Sequence, residues 1–152
     1  WPVQPIKSMQ IPVLRDFVMA AVDIGVLSLV VRRGLYRKDC LDAELLELFS
    51  APLQGSIGRK AFLHFARCLD NHNLTEIAED LHKLEIPVLV IRGEADAYLS
   101  EEISLRLKRE IPNCRLLRIA TAGHFIQEDE PEQVARALRS FWWNDAVLGA
   151  VS

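Results

Sequence analysis

Two apolar runs, each opening into a loop that carries one proton-handling side chain, constrain this chain more than any other feature. The first, Ile86-Pro87-Val88-Leu89-Val90-Ile91, runs into Arg92-Gly93-Glu94-Ala95-Asp96. The second, Cys114 to Ile119, runs into Ala122-Gly123-His124. The uncharged stretch Pro87 to Ile91, rich in β-branched residues, predicts a strand buried on both faces. Cys114 to Ile119 alternates weakly and predicts a second strand. Between them Ser100 is placed to cap a helix reaching about Glu110, with Glu101 and Glu102 in its first turn and Lys108 and Arg109 in its last, which suits the helix dipole. In parallel sheets, ligands and chemistry collect outside the carboxyl ends of the strands. Asp96 and His124 both fall at such ends. An acid followed by a histidine there suggests the orienting and base members of a nucleophile–histidine–acid triad.

Composition narrows the class without naming it. The chain has 152 residues, half of them hydrophobic and 26% charged. That suffices for one globular domain with a sizeable core and argues against disorder. Eighteen basic and 21 acidic residues leave a formal charge of −3, so no basic excess points to nucleic acid. The apolar run Phe17–Val31 is interrupted by Asp23 and stops at Arg32-Arg33. It is too short and too broken to span a bilayer. Cys40, Cys68 and Cys114 are widely spaced and contain no C-x-x-C pair, which predicts thiols and a cytoplasmic setting. Residue 1 is Trp, and we expect the natural start to lie upstream.

The first 84 residues predict helices and no strand. Residues 1–10 read as a linker with two prolines. Pro12 suits the first turn of a helix over Val13–Arg33, stopped at Gly34. Asp39 or Asp42 can cap a short helix carrying Leu45, Leu46, Leu48 and Phe49 and ending near Pro52. Ser56 or Gly58 opens a third, to about Leu69, whose Phe62, Phe65 and Leu69 stripe predicts core packing. Asn73 with Glu76 resembles a capping box for a fourth, ending near Leu84 with His82 in its last turn. After β-α-β, Asp129 or Glu130 before Pro131 starts a final helix through Phe141 or beyond. Two parallel strands alone make a poor sheet, because such strands need neighbours and helices on both faces.

The stretch I-P-V-L-V-I-R-G-E-A-D, the following I-P-N, and A-G-H-F-I-Q-E-D-E-P-E-Q-V together resemble the C-terminal third of the α/β-hydrolase superfamily. R-R-G-L-Y, L-F-S-A-P-L and G-R-K-A-F fit the texture of that family's helical cap. The resemblance implies an α/β fold with an incomplete parallel sheet: a cap segment with its linker over residues 1–84, and the C-terminal part of the core over 85–152. It implies that His124 is the general base and Asp96 its orienting acid, with Leu99 and Phe125 beside the substrate pocket. The nearest texture is that of haloalkane dehalogenases and epoxide hydrolases. Esterases and carbon–carbon bond hydrolases share much of it.

The family's nucleophile elbow, G-x-S-x-G or G-x-D-x-x-G, is not in this sequence. Gln54-Gly55-Ser56-Ile57-Gly58 comes nearest, but Gln54 stands where a glycine is required and no strand precedes it. The oxyanion-hole loop is missing too. The expected protein is therefore a hydrolase section acting on a small apolar substrate, without cofactor and without turnover of its own. Its expected partners are that substrate and either a second copy or the missing N-terminal half; neither nucleic acid nor membrane is expected. The alternative is a non-catalytic self-associating or partner-binding module of the same fold.

Other polar residues have plainer explanations. Glu94 is a rival acid but reads as a solvated neighbour of Asp96. Glu128 and Asp129 read as helix-start charges. His64, Cys68 and His72 repeat at i, i+4 and i+8, a formal metal stripe, but Asn71 and Asn73 would end the helix first. Packing or surface roles are expected there, and no metal. Trp142 and Trp143 suit either the core or a surface covered by a larger sheet.

Overall fold

The computed structural model describes residues 25–68 and 76–149. The chain divides into two compact units: one ends at Arg33 and resumes over Leu41–Glu79, and the other comprises Gly34–Cys40 and the chain from Asp80 onward.

In the first unit, Gly25 adopts a φ of +93°, a left-handed conformation incompatible with a helix interior. Helix α1 (Val26–Gly34) begins directly after it, with Arg32 and Arg33 in its last turn. The helix expected over Val13–Arg33 is therefore interrupted at Gly25. Its earlier part, its Pro12 start and the linker over residues 1–10 lie outside the described residues. Asp42, not Asp39, caps α2 (Ala43–Ser50), its Oδ1 accepting the Leu45 N–H at 2.8 Å. Asp39 lies in the short 3₁₀ turn Lys38–Cys40 of the other unit. Pro52 falls in a second such turn, Ala51–Leu53, and α3 (Ser56–Cys68) follows.

Two expectations in this region need correction. Phe65 is 60% exposed, so the Phe62–Phe65 stripe is not wholly core; Leu69 lies outside the described residues. The fourth helix is replaced, in its described part, by a 3₁₀ turn over Ala78–Lys83 that carries His82 in its last turn. Asn73 lies outside the described residues.

The second unit holds the sheet. Strands β1 (Val88–Gly93) and β2 (Cys114–Ile119) are parallel and in register, from Val88 opposite Cys114 to Gly93 opposite Ile119. Helix α4 (Glu101–Glu110) connects them and packs on both. Ser100 occupies the N-cap position, but its side chain makes no capping bond. After β2 come a one-turn helix, α5 (Ile126–Asp129), which the sequence pattern did not predict, and α6 (Pro131–Gly149). The core of this unit is Leu35, Ile111, Cys114, Ile119 and Ala122. Burying a side chain such as Leu35, which is 1% exposed, contributes about 1.5–3 kcal/mol.

Strand β1 departs from the expected burial. Every residue of it except Gly93 is half-buried, because among the described residues only β2 pairs with it. Trp142 and Trp143 are 64% and 75% exposed on α6.

Candidate active site

Both strands end at the same level, so the loops that follow them meet. Glu94 N–H donates to Ile119 O and Ala95 N–H to Ala122 O, each at 3.0 Å. The approach is close enough to require glycine. A Cβ on Gly93 would sit 2.1 Å from Gly123 O, and one on Gly123 would sit 2.2 Å from Gly34 O.

The first loop folds around Asp96. Its Oδ1 accepts the N–H groups of Tyr98 at 2.8 Å and Leu99 at 3.0 Å, a local turn of the kind short carboxylate side chains favour. Arg92 holds the far end by donating to the carbonyls of Leu99 and Ser100. Asp96 is thus a loop-building residue, and its carboxylate also reaches across to the second loop. His124 Nδ1 lies 3.1 Å from Asp96 Oδ2 and 3.2 Å from Oδ1. The Asp96 side chain is 9% exposed and that of His124 32%. Burial pushes the Asp96 carboxyl up, but the Tyr98 and Leu99 N–H groups and then His124 outweigh it, leaving the group below its ordinary range. The ionised carboxylate is the favoured form.

The imidazole is fixed on its other sides too. The rings of Tyr98 and Phe125 each meet it edge-on with centroids 5.1 Å away. Its backbone N–H donates to Gly34 O at 2.7 Å. With Nδ1 facing a carboxylate, the favoured neutral tautomer carries its proton there and presents the lone pair at Nε2.

A cleft of about 220 Å³ opens beside this pair, lined by Asp96, His124, Arg92 and the apolar side chains of Leu99, Ile103, Leu107 and Ile126 among others. Leu99 is among the residues that line it. Phe125 packs on the His124 ring and does not line this cleft. Glu94 faces away, its carboxylate 2.9 Å from Arg118, which also pairs with Glu101. Ser56 opens helix α3 and does not sit on a strand-to-helix elbow. Cys68 Sγ lies 3.7 Å from His64 Nε2, both residues exposed; His72 is outside the described residues. Among the described residues, no group of three His, Cys, Asp or Glu side chains is arranged to hold a metal ion.

Sequence reasoning missed Asp129. It is fully buried rather than a surface charge at a helix start. Its carboxylate accepts backbone N–H groups from Tyr36, Arg37 and Gly123. The run Glu128-Asp129-Glu130 hides it, since nothing local separates the middle acid from its neighbours. Two of its three donors lie more than 90 positions earlier.

No family model matches the chain. An uncharacterized hydrolase of Bacillus subtilis, YugF, is 30% identical over 108 residues, 70% of this chain and 38% of its own length. Human epoxide hydrolase 4 is 30% identical over an alignment of 156 positions that covers 92% of this chain and 40% of its own length. The chain thus spans about two fifths of the length of these curated relatives. A crystal structure of an alpha/beta hydrolase fold protein from Burkholderia ambifaria superposes with a TM-score of 0.69 at 24% identity, covering 78% of this chain and 43% of that one. Sequence relatives and structural neighbours agree with the strand ends described above: the chain has the fold of a section of an α/β-hydrolase, and the relatives it matches are hydrolases.

Proposed function

We infer that this chain is the acid- and base-bearing section of a hydrolase working through a covalent nucleophile–histidine–acid mechanism. The contact of His124 Nδ1 with Asp96 carries the reading. Asp96 holds the imidazole in one tautomer and stabilises the imidazolium. Nε2 takes the proton from the nucleophile, or from the water that attacks the covalent intermediate. No elbow motif is present in the 152 residues, so the nucleophile comes from polypeptide outside them. The leucine and isoleucine lining of the cleft supports a small apolar substrate, and likeness to an epoxide hydrolase supports that branch. Three cysteines standing as thiols support a cytoplasmic setting. The described residues contain no helix long and apolar enough to cross a membrane.

The half-buried β1, paired on one edge among the described residues, favours a second reading. An open strand edge accepts another strand, as a self-associating or partner-binding module would. One experiment separates the two. Ester, epoxide and haloalkane hydrolysis are measured with this chain and with a version extended upstream. Turnover in the longer protein only supports the hydrolase section. A folded dimer, with turnover in neither, overturns that reading in favour of the binding module.

A further inference from the structure

We propose that Asp129 is the positioning residue of His124, acting through the backbone that presents the imidazole. The inference rests on the base role assigned to His124. A carboxylate buried to zero exposure must be matched by donors, since an uncompensated buried charge is costly. Here the donors are three backbone N–H groups. Oδ2 accepts Gly123 N–H at 2.8 Å, Oδ1 accepts Arg37 N–H at 2.8 Å, and Tyr36 N–H is shared between both at 2.9 and 3.0 Å.

Those donors belong to two segments that embrace the histidine. Gly123 immediately precedes it. Tyr36 and Arg37 follow Gly34, whose carbonyl accepts the N–H of His124 at 2.7 Å. Asp129 thus closes a ring: its carboxylate ties Gly123 to residues 36–37, and the Gly34 carbonyl ties that same stretch back to His124. The ring fixes the backbone on which the imidazole turns toward Asp96. Asp129 does not itself line the cleft; it bonds to Gly123, which does.

Both oxygens are needed as acceptors. In Asp129→Asn one oxygen becomes an NH₂ group, which opposes the Gly123 N–H in one orientation and the Arg37 N–H in the other. The readout is the downfield proton resonance of the Nδ1–H facing Asp96, followed by NMR together with circular dichroism. The expected result is a folded Asp129→Asn protein in which that resonance is lost or broadened, while amide exchange at Gly123 and His124 rises roughly tenfold or more. A folded variant with the resonance and both exchange rates unchanged overturns the proposal.

Should the variant not fold, hydrogen exchange on the unaltered protein decides. The amides of Tyr36, Arg37 and Gly123 are expected to be protected and to lose protection together as denaturant rises. Exchange of Gly123 at the rate of an unstructured amide overturns the proposal. An unaltered protein that shows no Nδ1–H resonance counts against the base role of His124 instead, and the exchange measurement still decides on Asp129.

Discussion

His124 Nδ1 and Asp96 Oδ2 lie 3.1 Å apart, although 28 positions of sequence separate the two residues. The contact joins the first loop after β1 to the second loop after β2. Disturbing either partner therefore has one local and one distant consequence.

For Asp96 the local consequence depends on pH. Its folded-state pKa is lowered, so its ionised form stabilises the fold above the ordinary carboxylate pKa, near 3.9. That stabilisation is lost as the pH falls through the lowered folded value. Asp96→Asn is expected to cost about 1–3 kcal/mol at pH 7, because the Tyr98 and Leu99 N–H groups and His124 lose a charged acceptor. Urea denaturation from pH 7 to pH 3 checks it: the gap between parent and variant narrows as the medium becomes acidic. A gap that stays constant with pH would show that the carboxylate charge is not what stabilises the turn.

For His124 the effect divides between stability and turnover. The side chain is about one third exposed, so His124→Gln is expected to destabilise by about 1 kcal/mol or less. In the upstream-extended protein the same change should lower kcat by roughly a thousandfold or more. Thermal unfolding and steady-state kinetics on one preparation test both. Retained turnover would remove the histidine from the mechanism.

The crowded backbone predicts a sharp contrast between two glycines. Gly123→Ala forces a Cβ to within 2.2 Å of a carbonyl oxygen, whereas a Cβ on Gly55 meets nothing within 4 Å. We expect a loss of about 2–4 kcal/mol for the first and a change within about 0.5 kcal/mol for the second. Similar melting temperatures for the two variants would contradict the close approach of the loops.

Leu99 tests the cleft. Its side chain lines the space beside His124 and is 39% exposed, so Leu99→Ala should scarcely affect stability. In the extended protein it should raise KM for an apolar substrate by roughly tenfold while leaving kcat within about threefold. A fall in kcat at constant KM would place Leu99 in the chemistry rather than in binding.

The sequence made the second unit legible where one residue pattern has one physical meaning. An uncharged β-branched run, a dipole-matched helix and a second apolar run predicted β1, α4 and β2, and with them the level at which Asp96 and His124 emerge. It misled where identity leaves conformation open. Gly25 inside an apolar stretch gave no sign that it would turn left-handed and that the described helix would begin only after it, at Val26. Phe65 satisfied a helical period yet is largely exposed. Asp129 was unreadable for a different reason. Its role is set by amide groups contributed from residues 36 and 37, and every residue but proline carries an amide, so no side-chain pattern announces it.

The in-register pairing of β1 with β2, closing at Gly93 opposite Ile119, has a bearing on how such a chain can tolerate insertions and deletions. Residues added to the solvent side of α4 leave the heights of the two strand ends unchanged. Removing one residue from either strand shifts its terminus by about 3.3 Å and turns its side chains to the opposite face. Drift in length is thus permitted to the connection and denied to the strands it connects.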